Sequence, residues 1–199
     1  MANKVDALGW ENWERLWFFV GDQSVFYNGS NGTVRDRMSI AERFTALPEV
    51  FHGGSDAFGF ENWERLWIFK GDEYCFYNAR SQEVRDHKKI RNQFTRLPEN
   101  VKSGVDAFGF ENWERLWFIK GDRVVFYNGA DNTVRSEELI KQQFTNLPPS
   151  YHNGIDAFGF ENWERLWIFK GDQYCFYNAR SQEIREVRAI RDQFPGVLD

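Results

Sequence analysis

The chain has little of several things: two cysteines, five prolines and three histidines in 199 residues, and no apolar run near the roughly twenty residues that a membrane span requires. Each scarcity removes a class of protein. Cys75 and Cys175 alone cannot staple a disulfide scaffold. Basic residues do not dominate: 25 Lys and Arg against 30 Asp and Glu give a net charge of -5, with a pI near 5.4. That balance lacks the electropositive face with which a protein displaces counterions from phosphates, so no nucleic-acid partner is expected. A Gly-rich phosphate loop, HExxH, GxSxG and paired-cysteine spacings are all missing, which points to a binding protein rather than an enzyme. The opening MANKVDALGW has no hydrophobic region of the secretory kind. The expectation is therefore a cytoplasmic protein, or one released without a classical signal peptide, with no membrane insertion.

What the chain has is repetition. FGFENWERLW stands at 58–67, 108–117 and 158–167, and LGWENWERLW at 8–17. The step is fifty residues, a length that signals repeat architecture. Units of this size are too short to bury a core singly, so they are expected to stabilise one another in one closed assembly over 1–199, with blades at 1–50, 51–100, 101–150 and 151–199. A finer relation overlies the step: units two and four share YCFYNARSQE, whereas units one and three share VFYNG. The molecule is thus nearer to two-fold than to four-fold symmetry, and sites on the outer strands are expected in two kinds.

Unit two carries the pattern most clearly. Ser55 to Phe58 reads as a first strand ended by Gly59, and Glu61 to Arg65 as a loop. Leu66, Trp67, Ile68 and Phe69 are apolar without a break and too short for a helix, the mark of a strand buried on both faces. Lys70-Gly71-Asp72 is a hairpin turn, Tyr74 to Tyr77 a third strand, and Glu83 to Arg85 a short edge strand. Ile90, Phe94 and Leu97 fall on one face of a short helix that Pro98 stops. Unit four replaces the last turn with Pro195-Gly196, as a terminal repeat would. Four strands per unit in a ring predict an all-β fold with short helices, a four-bladed β-propeller. Across such a ring Cys75 and Cys175 are too far apart to bridge, which reads as two buried thiols and leaves the glycosylation signals at Asn28 and Asn31 unused.

Asp-Ala at the start of each first strand (Asp6, Asp56, Asp106, Asp156), an aromatic strand ending in Lys-Gly-Asp, a Tyr-containing strand and a closing helix with Phe before Leu-Pro or Pro-Gly together resemble the hemopexin-like repeat. In this they are similar to plant albumin-2 and to microbial and fungal hemopexin-like proteins. The resemblance implies first strands lining a central channel, where backbone or side-chain oxygens at Asp6, Asp56, Asp106 and Asp156 hold a calcium or sodium ion. It also implies polyamine or haem as candidate ligands. Two features depart from the family: Leu8, Phe58, Phe108 and Phe158 replace a small residue on the inner wall, and no cysteine pair joins the chain ends. Closure of the ring is then expected from apolar packing, with help from Val197 and Leu198.

Three candidate sites follow. The four aspartates either hydrogen-bond the turn into the inner strand or form an oxygen ring for a hard cation. His52, His87 and His152 are the only candidate axial haem ligands, and two of them stand in linkers, so haem is not expected. The strongest candidate is ENWER itself: Asn12, Trp13, Glu14 and Arg15; Asn62, Trp63, Glu64 and Arg65; Asn112, Trp113, Glu114 and Arg115; Asn162, Trp163, Glu164 and Arg165. One reading wedges the tryptophan between blades and pairs Glu64 with Arg65 across the joint. The other presents an indole to the C–H face of a sugar, with amide, carboxylate and guanidinium bonding its hydroxyls. Four such sites on a rigid ring would gain by effective concentration, as in a multivalent lectin. The alternatives are a polyamine or haem carrier and a protein-docking scaffold. Partners are expected to be glycans or small molecules, with a homodimer left open.

Overall fold

The structure is a computed structural model that describes residues 4–62, 64–162 and 164–199. Among the described residues sixteen strands form four antiparallel sheets of four, each in simple meander order. Blade one holds β1 (Ala7–Asn12), β2 (Arg15–Val20), β3 (Gln23–Asn28) and β4 (Thr33–Ser39). Blade two holds β5 (Ala57–Asn62), β6 (Arg65–Lys70), β7 (Glu73–Asn78) and β8 (Glu83–Lys89). Blade three holds β9 (Ala107–Asn112), β10 (Arg115–Lys120), β11 (Arg123–Asn128) and β12 (Thr133–Leu139). Blade four holds β13 (Ala157–Asn162), β14 (Arg165–Lys170), β15 (Gln173–Asn178) and β16 (Glu183–Ala189). The innermost strands β1, β5, β9 and β13 touch in a closed circle, which makes a four-bladed propeller. No helix among the described residues is long and apolar enough to cross a membrane.

The cores lie between blades. Along β6, Leu66 and Ile68 point to one neighbour and pack with Ala7, Trp17 and Phe19, while Trp67 and Phe69 point to the other and pack with Phe108, Leu116 and Phe118. Period-two alternation with both faces apolar is what a middle strand needs when each face meets a different blade. All four residues are buried. Ring closure uses the same device: Val197 and Leu198 join Val5, Leu8 and Phe18 in the core between blades four and one. Arg37 Nη2 donates to the carbonyls of Gly196 (2.7 Å) and Val197 (3.0 Å), which fastens the C-terminal segment to blade one.

Several expected boundaries move. The first strand does not stop at Gly59 but runs on to Asn62. A glycine is needed there because a β-carbon on Gly59 would lie 2.2 Å from Phe108 Cε1, so the position marks the close approach of the next blade. Phe58 sits over Gly9, Phe158 over Gly109 and Leu8 over Gly159 in the same way. The edge strand is seven residues long, Glu83–Lys89, because main-chain pairing with β7 compensates for its polar side chains. The expected helix is a single turn, α2 (Ile90–Gln93), after α1 (Ile40–Arg43) in blade one. Pro98 does not only end that turn: it caps the next one, α3 (Glu99–Lys102), where fixed φ and a missing N–H suit a first turn. Blades three and four repeat the single turn as α4 (Ile140–Gln143) and α5 (Ile190–Gln193).

Candidate functional site

ENWER is not an extended loop. In blade one Glu11 and Asn12 belong to β1 and Arg15 opens β2, so only the turn Trp13-Glu14 separates the strands, and Trp113-Glu114 does the same in blade three. Asn12, Asn62, Asn112 and Asn162 each accept, through Oδ1, the N–H of the glutamate two residues on, at 2.9, 2.9, 3.0 and 2.9 Å. This local bond closes the turn and explains the asparagine. Arg65 Nη1 donates to Glu61 Oε1 at 2.8 Å, and Trp67 Nε1 reaches Glu61 Oε2 at 3.4 Å. Arg15, Arg115 and Arg165 repeat the first bond to Glu11, Glu111 and Glu161 at 3.1, 3.1 and 2.9 Å. Glu64 pairs with Arg80 (2.9 Å) and Glu164 with Arg180 (3.2 Å), both within their own blade. The expectation of ion pairs across the joint is therefore corrected: the turn brings each charge back onto its own hairpin. Glu14 and Glu114 are exposed, and the positions equivalent to Arg80 and Arg180 in their blades hold Ser30 and Ala130, which carry no guanidinium.

Trp63 and Trp163 lie outside the described residues; Trp13 and Trp113 show what the loop indole does. Trp113 is 38% exposed, and its ring lies on Trp67 of blade two with centroids 5.4 Å apart. Trp13 is half-buried against Trp167 of blade four, at 5.7 Å, and against Trp10, at 5.4 Å. Each of these indoles reaches back over the joint to the preceding blade, so it both wedges the blades and keeps a face toward solvent. Gly29 and Gly129 make room: a β-carbon there would fall 2.7 Å from Trp13 O and 2.9 Å from Trp113 O. Blades two and four carry Ala79 and Ala179 instead, and the two kinds of site differ at this point.

The result is a groove at the joint. Between blades two and three it encloses about 670 Å³, with Trp67 stacked on half-buried Phe76 (4.7 Å, 22°) as the floor and Trp113 as a wall. Glu61, Glu64, Arg85 and Asp86 stand on the rim. Tyr74 donates to Asp86 on the outer side, and burial with this bond raises the Tyr74 phenol. Burial pushes the Asp86 carboxyl up, but bonds from Tyr74 and Lys88 outweigh it and hold the group below the usual range. Blade one has a groove of about 450 Å³ with Trp17 on Phe26 (4.5 Å, 6°), and Arg43 covers that indole at 5.1 Å. A third, of about 210 Å³, joins Trp117 to Phe160 and Leu166 of blade four. At the joint of blades four and one, Trp10 replaces a phenylalanine and stacks on Trp167 at 5.4 Å and 16°, so Trp167 carries two indoles. Phe26, Phe76 and Asp86 were not singled out from sequence; the signal was a phenylalanine present in all four units at a position the strand pattern leaves half-exposed.

The opposite face carries the aspartates. Oδ2 of Asp6, Asp56, Asp106 and Asp156 accepts the N–H of Gly21, Gly71, Gly121 and Gly171 at 2.7, 2.8, 2.7 and 2.7 Å, which ties the first strand to the β2–β3 turn and its equivalents. Lys70 and Lys120 ammoniums lie 2.7 Å from Asp56 and Asp106, and Lys170 lies 3.6 Å from Asp156. Carboxylates engaged in this way do not fit a hard cation, and among the described residues no group of three or more His, Cys, Asp and Glu could hold one. The channel is packed at mid-height, where Leu8, Phe58, Phe108 and Phe158 leave a void of about 10 Å³, room for one water at most. His52 and His152 donate to the Leu47 and Leu147 carbonyls (2.7 and 2.8 Å), and His87 bonds Glu73 (2.8 Å), so each imidazole has a partner close by in its own blade or linker.

These features define the class: a four-bladed propeller of the hemopexin fold, with aromatic grooves at the joints of one face and a ring of ion pairs on the other. Three solved structures share it end to end. A hemopexin-fold protein, CP4 from cow pea, superposes with a TM-score of 0.85 at 17% identity, covering 96% of this chain and 95% of that chain. A plant albumin from Cicer arietinum showing hemagglutination gives 0.83 at 18% identity over 97% and 96%. A plant lectin with two metal binding sites from Cicer arietinum gives 0.82 at 18% over 96% and 95%. At such identities the likeness establishes the fold. None of the protein-family models matches the chain, and no curated protein sequence does.

Proposed function

We propose that the protein is a non-enzymatic, multivalent carbohydrate binder whose sugar sites are the grooves between blades on the ENWER face. The observation that carries the reading is the joint of blades two and three, where exposed Trp113 and the Trp67 floor meet Glu61, Glu64, Arg85 and Asp86 around about 670 Å³. Indole faces take the C–H surface of a pyranose, and carboxylates and guanidiniums at the rim accept from and donate to its hydroxyls. Asn62 and its equivalents act indirectly, by shaping the turn, and the arginines of ENWER hold Glu61 and its equivalents in place. The joints are unequal, so valence on one molecule is below four for any one sugar: Arg43 covers the blade-one indole, and Trp10 takes up the face of Trp167. The hemagglutination of an albumin and the lectin nature of another protein with this fold support the reading. A glycan array followed by hemagglutination with millimolar competing sugars tests it; binding that no free sugar competes with would end it.

A second reading has its own support. Three carboxylates, Glu61, Glu64 and Asp86, stand beside aromatic faces in the same groove, which suits an oligoamine through ion pairing and cation–π contact. A thermal shift with spermine but with no sugar would favour it over the lectin. The metal binding of the Cicer arietinum lectin is not carried over to the aspartate ring, whose carboxylates are already engaged.

A further inference from the structure

We propose that four lysine ammoniums, those of Lys4, Lys70, Lys120 and Lys170, stand in the place of an axial cation, so that the mouth of the ring is held closed by the protein's own charges and needs no metal ion. The mouth is a polar cavity of about 320 Å³ lined by the four aspartates, by glycines and by Lys4, Lys70 and Lys170, while Lys120 pairs with Asp106 of that lining. Four carboxylates converge there and would repel one another without positive charge between them. Lys70 meets Asp56 and Lys120 meets Asp106 at 2.7 Å. Lys170 is 3.6 Å from Asp156, and Lys4 spans the last joint, 3.2 Å from Asp6 and 3.8 Å from Asp156. Four negative groups are matched by four positive ones.

Comparison among the repeats shows that the balance is built in. Units two, three and four have Lys70, Lys120 and Lys170 at the end of the second strand, and Gly54, Gly104 and Gly154 in the linker before the first. The two positions are neighbours in space: a β-carbon on Gly54, Gly104 or Gly154 would lie 3.7, 3.6 or 3.4 Å from the ammonium of its own unit's lysine. Unit one exchanges them. Val20 stands at the lysine position and Lys4 at the glycine position, so the chain loses an ammonium from one strand and returns it from the other side of the same point. Burial pulls the Lys4 ammonium down, but its bond to Asp6 and the charges of Asp156, Asp6 and Asp56 outweigh this and hold it in the charged form. An added cation would meet four ammoniums, with its would-be ligands already occupied.

The test is metal content and thermal stability of the whole chain. After desalting into calcium-free buffer, the protein is expected to carry no stoichiometric calcium by plasma mass spectrometry, and its Tm is expected to move by less than about 1 °C with EDTA or with excess calcium chloride. A variant with Lys4, Lys70, Lys120 and Lys170 all replaced by Met keeps the stems and removes the charges. It is expected to melt on the order of 5 °C lower in EDTA and to recover in calcium. If it does not fold, Lys70→Met with Lys170→Met is the milder form of the same experiment. One calcium per chain in the native protein, a native Tm that falls in EDTA, or a quadruple Lys→Met variant indifferent to calcium would each overturn the proposal.

Discussion

Replacing Gly59 with alanine is expected to strain the whole ring rather than one blade. The new β-carbon would lie 2.2 Å from Cε1 and 2.4 Å from Cδ1 of Phe108, inside any real contact distance. Phe108 cannot retreat, since its ring is 4.8 Å from that of Phe69 and 4.9 Å from that of Phe118, and the residue is buried. Overpacking of this kind costs about 1–3 kcal/mol. For a chain of this length that corresponds to a fall in Tm of roughly 2–12 °C. Blade one shows the remedy: Leu8 fills the same place over Gly159 without a second aromatic ring. Gly59→Ala combined with Phe108→Leu is therefore expected to cost less than the two changes added, with a coupling of about 0.5–3 kcal/mol by urea denaturation. Gly21→Ala is the control, because nothing lies within 4 Å of its β-carbon and only its φ of 58° is strained. Strict additivity, or a stabilising Gly59→Ala, would refute the interlocking of inner strands.

Three further outcomes are expected. The Cys75 and Cys175 thiols are pushed up to about 12, by burial first and then by Asp86 and Glu186, so the native protein should resist Ellman's reagent at pH 8 and react only in denaturant. The Tyr74 and Tyr174 phenols are raised too, again by burial first. Raised acids stabilise the fold below their unfolded pKa and lose that contribution above it, so the urea midpoint should be flat to about pH 8, fall as the unfolded thiols ionise and fall further as the phenols follow; a rise there would contradict the sign. Ending the chain at Pro195 removes buried Val197 and Leu198 and the two acceptors of Arg37, an expected loss on the order of 3 kcal/mol by chemical denaturation, whereas an unchanged midpoint would deny that segment a part in ring closure.

How far the residues themselves foretell this structure depends on where the controlling contact lies. The repeat, the doubly buried second strand and the Gly71-Asp72 turn were legible because their causes are local: spacing, an unbroken apolar run and a glycine with φ of 55°. Gly59 was misread as a strand end because its reason is Phe108, fifty residues away on another blade. The edge strand was read too short because Asp86, His87, Lys88 and Lys89 look like loop, yet the main chain of β7 pairs with them. ENWER stood out in the sequence, but the division of labour within it did not: Asn62 closes the hairpin turn and Arg65 holds Glu61, while Glu61, Glu64 and Arg65 line the groove with Trp113 of the next blade. Phe76 and Asp86, which line the groove with Trp113, come from the outer strands of the preceding blade. The exchange of Val20 and Lys4 is visible in the aligned repeats, but its meaning needs the distance between those two positions.

The claim that the interblade indoles recognise sugar is tested most directly by titrating a competing monosaccharide identified on the array into the native protein and into Trp113→Ala, by saturation-transfer NMR. Trp113 is the exposed wall of the groove between blades two and three, and its loss leaves the Trp67 floor in place. The account predicts millimolar binding to the native chain, at least tenfold weaker at this groove in the variant, with the fold retained by circular dichroism. Equal saturation transfer to both proteins, or none to either, would contradict it.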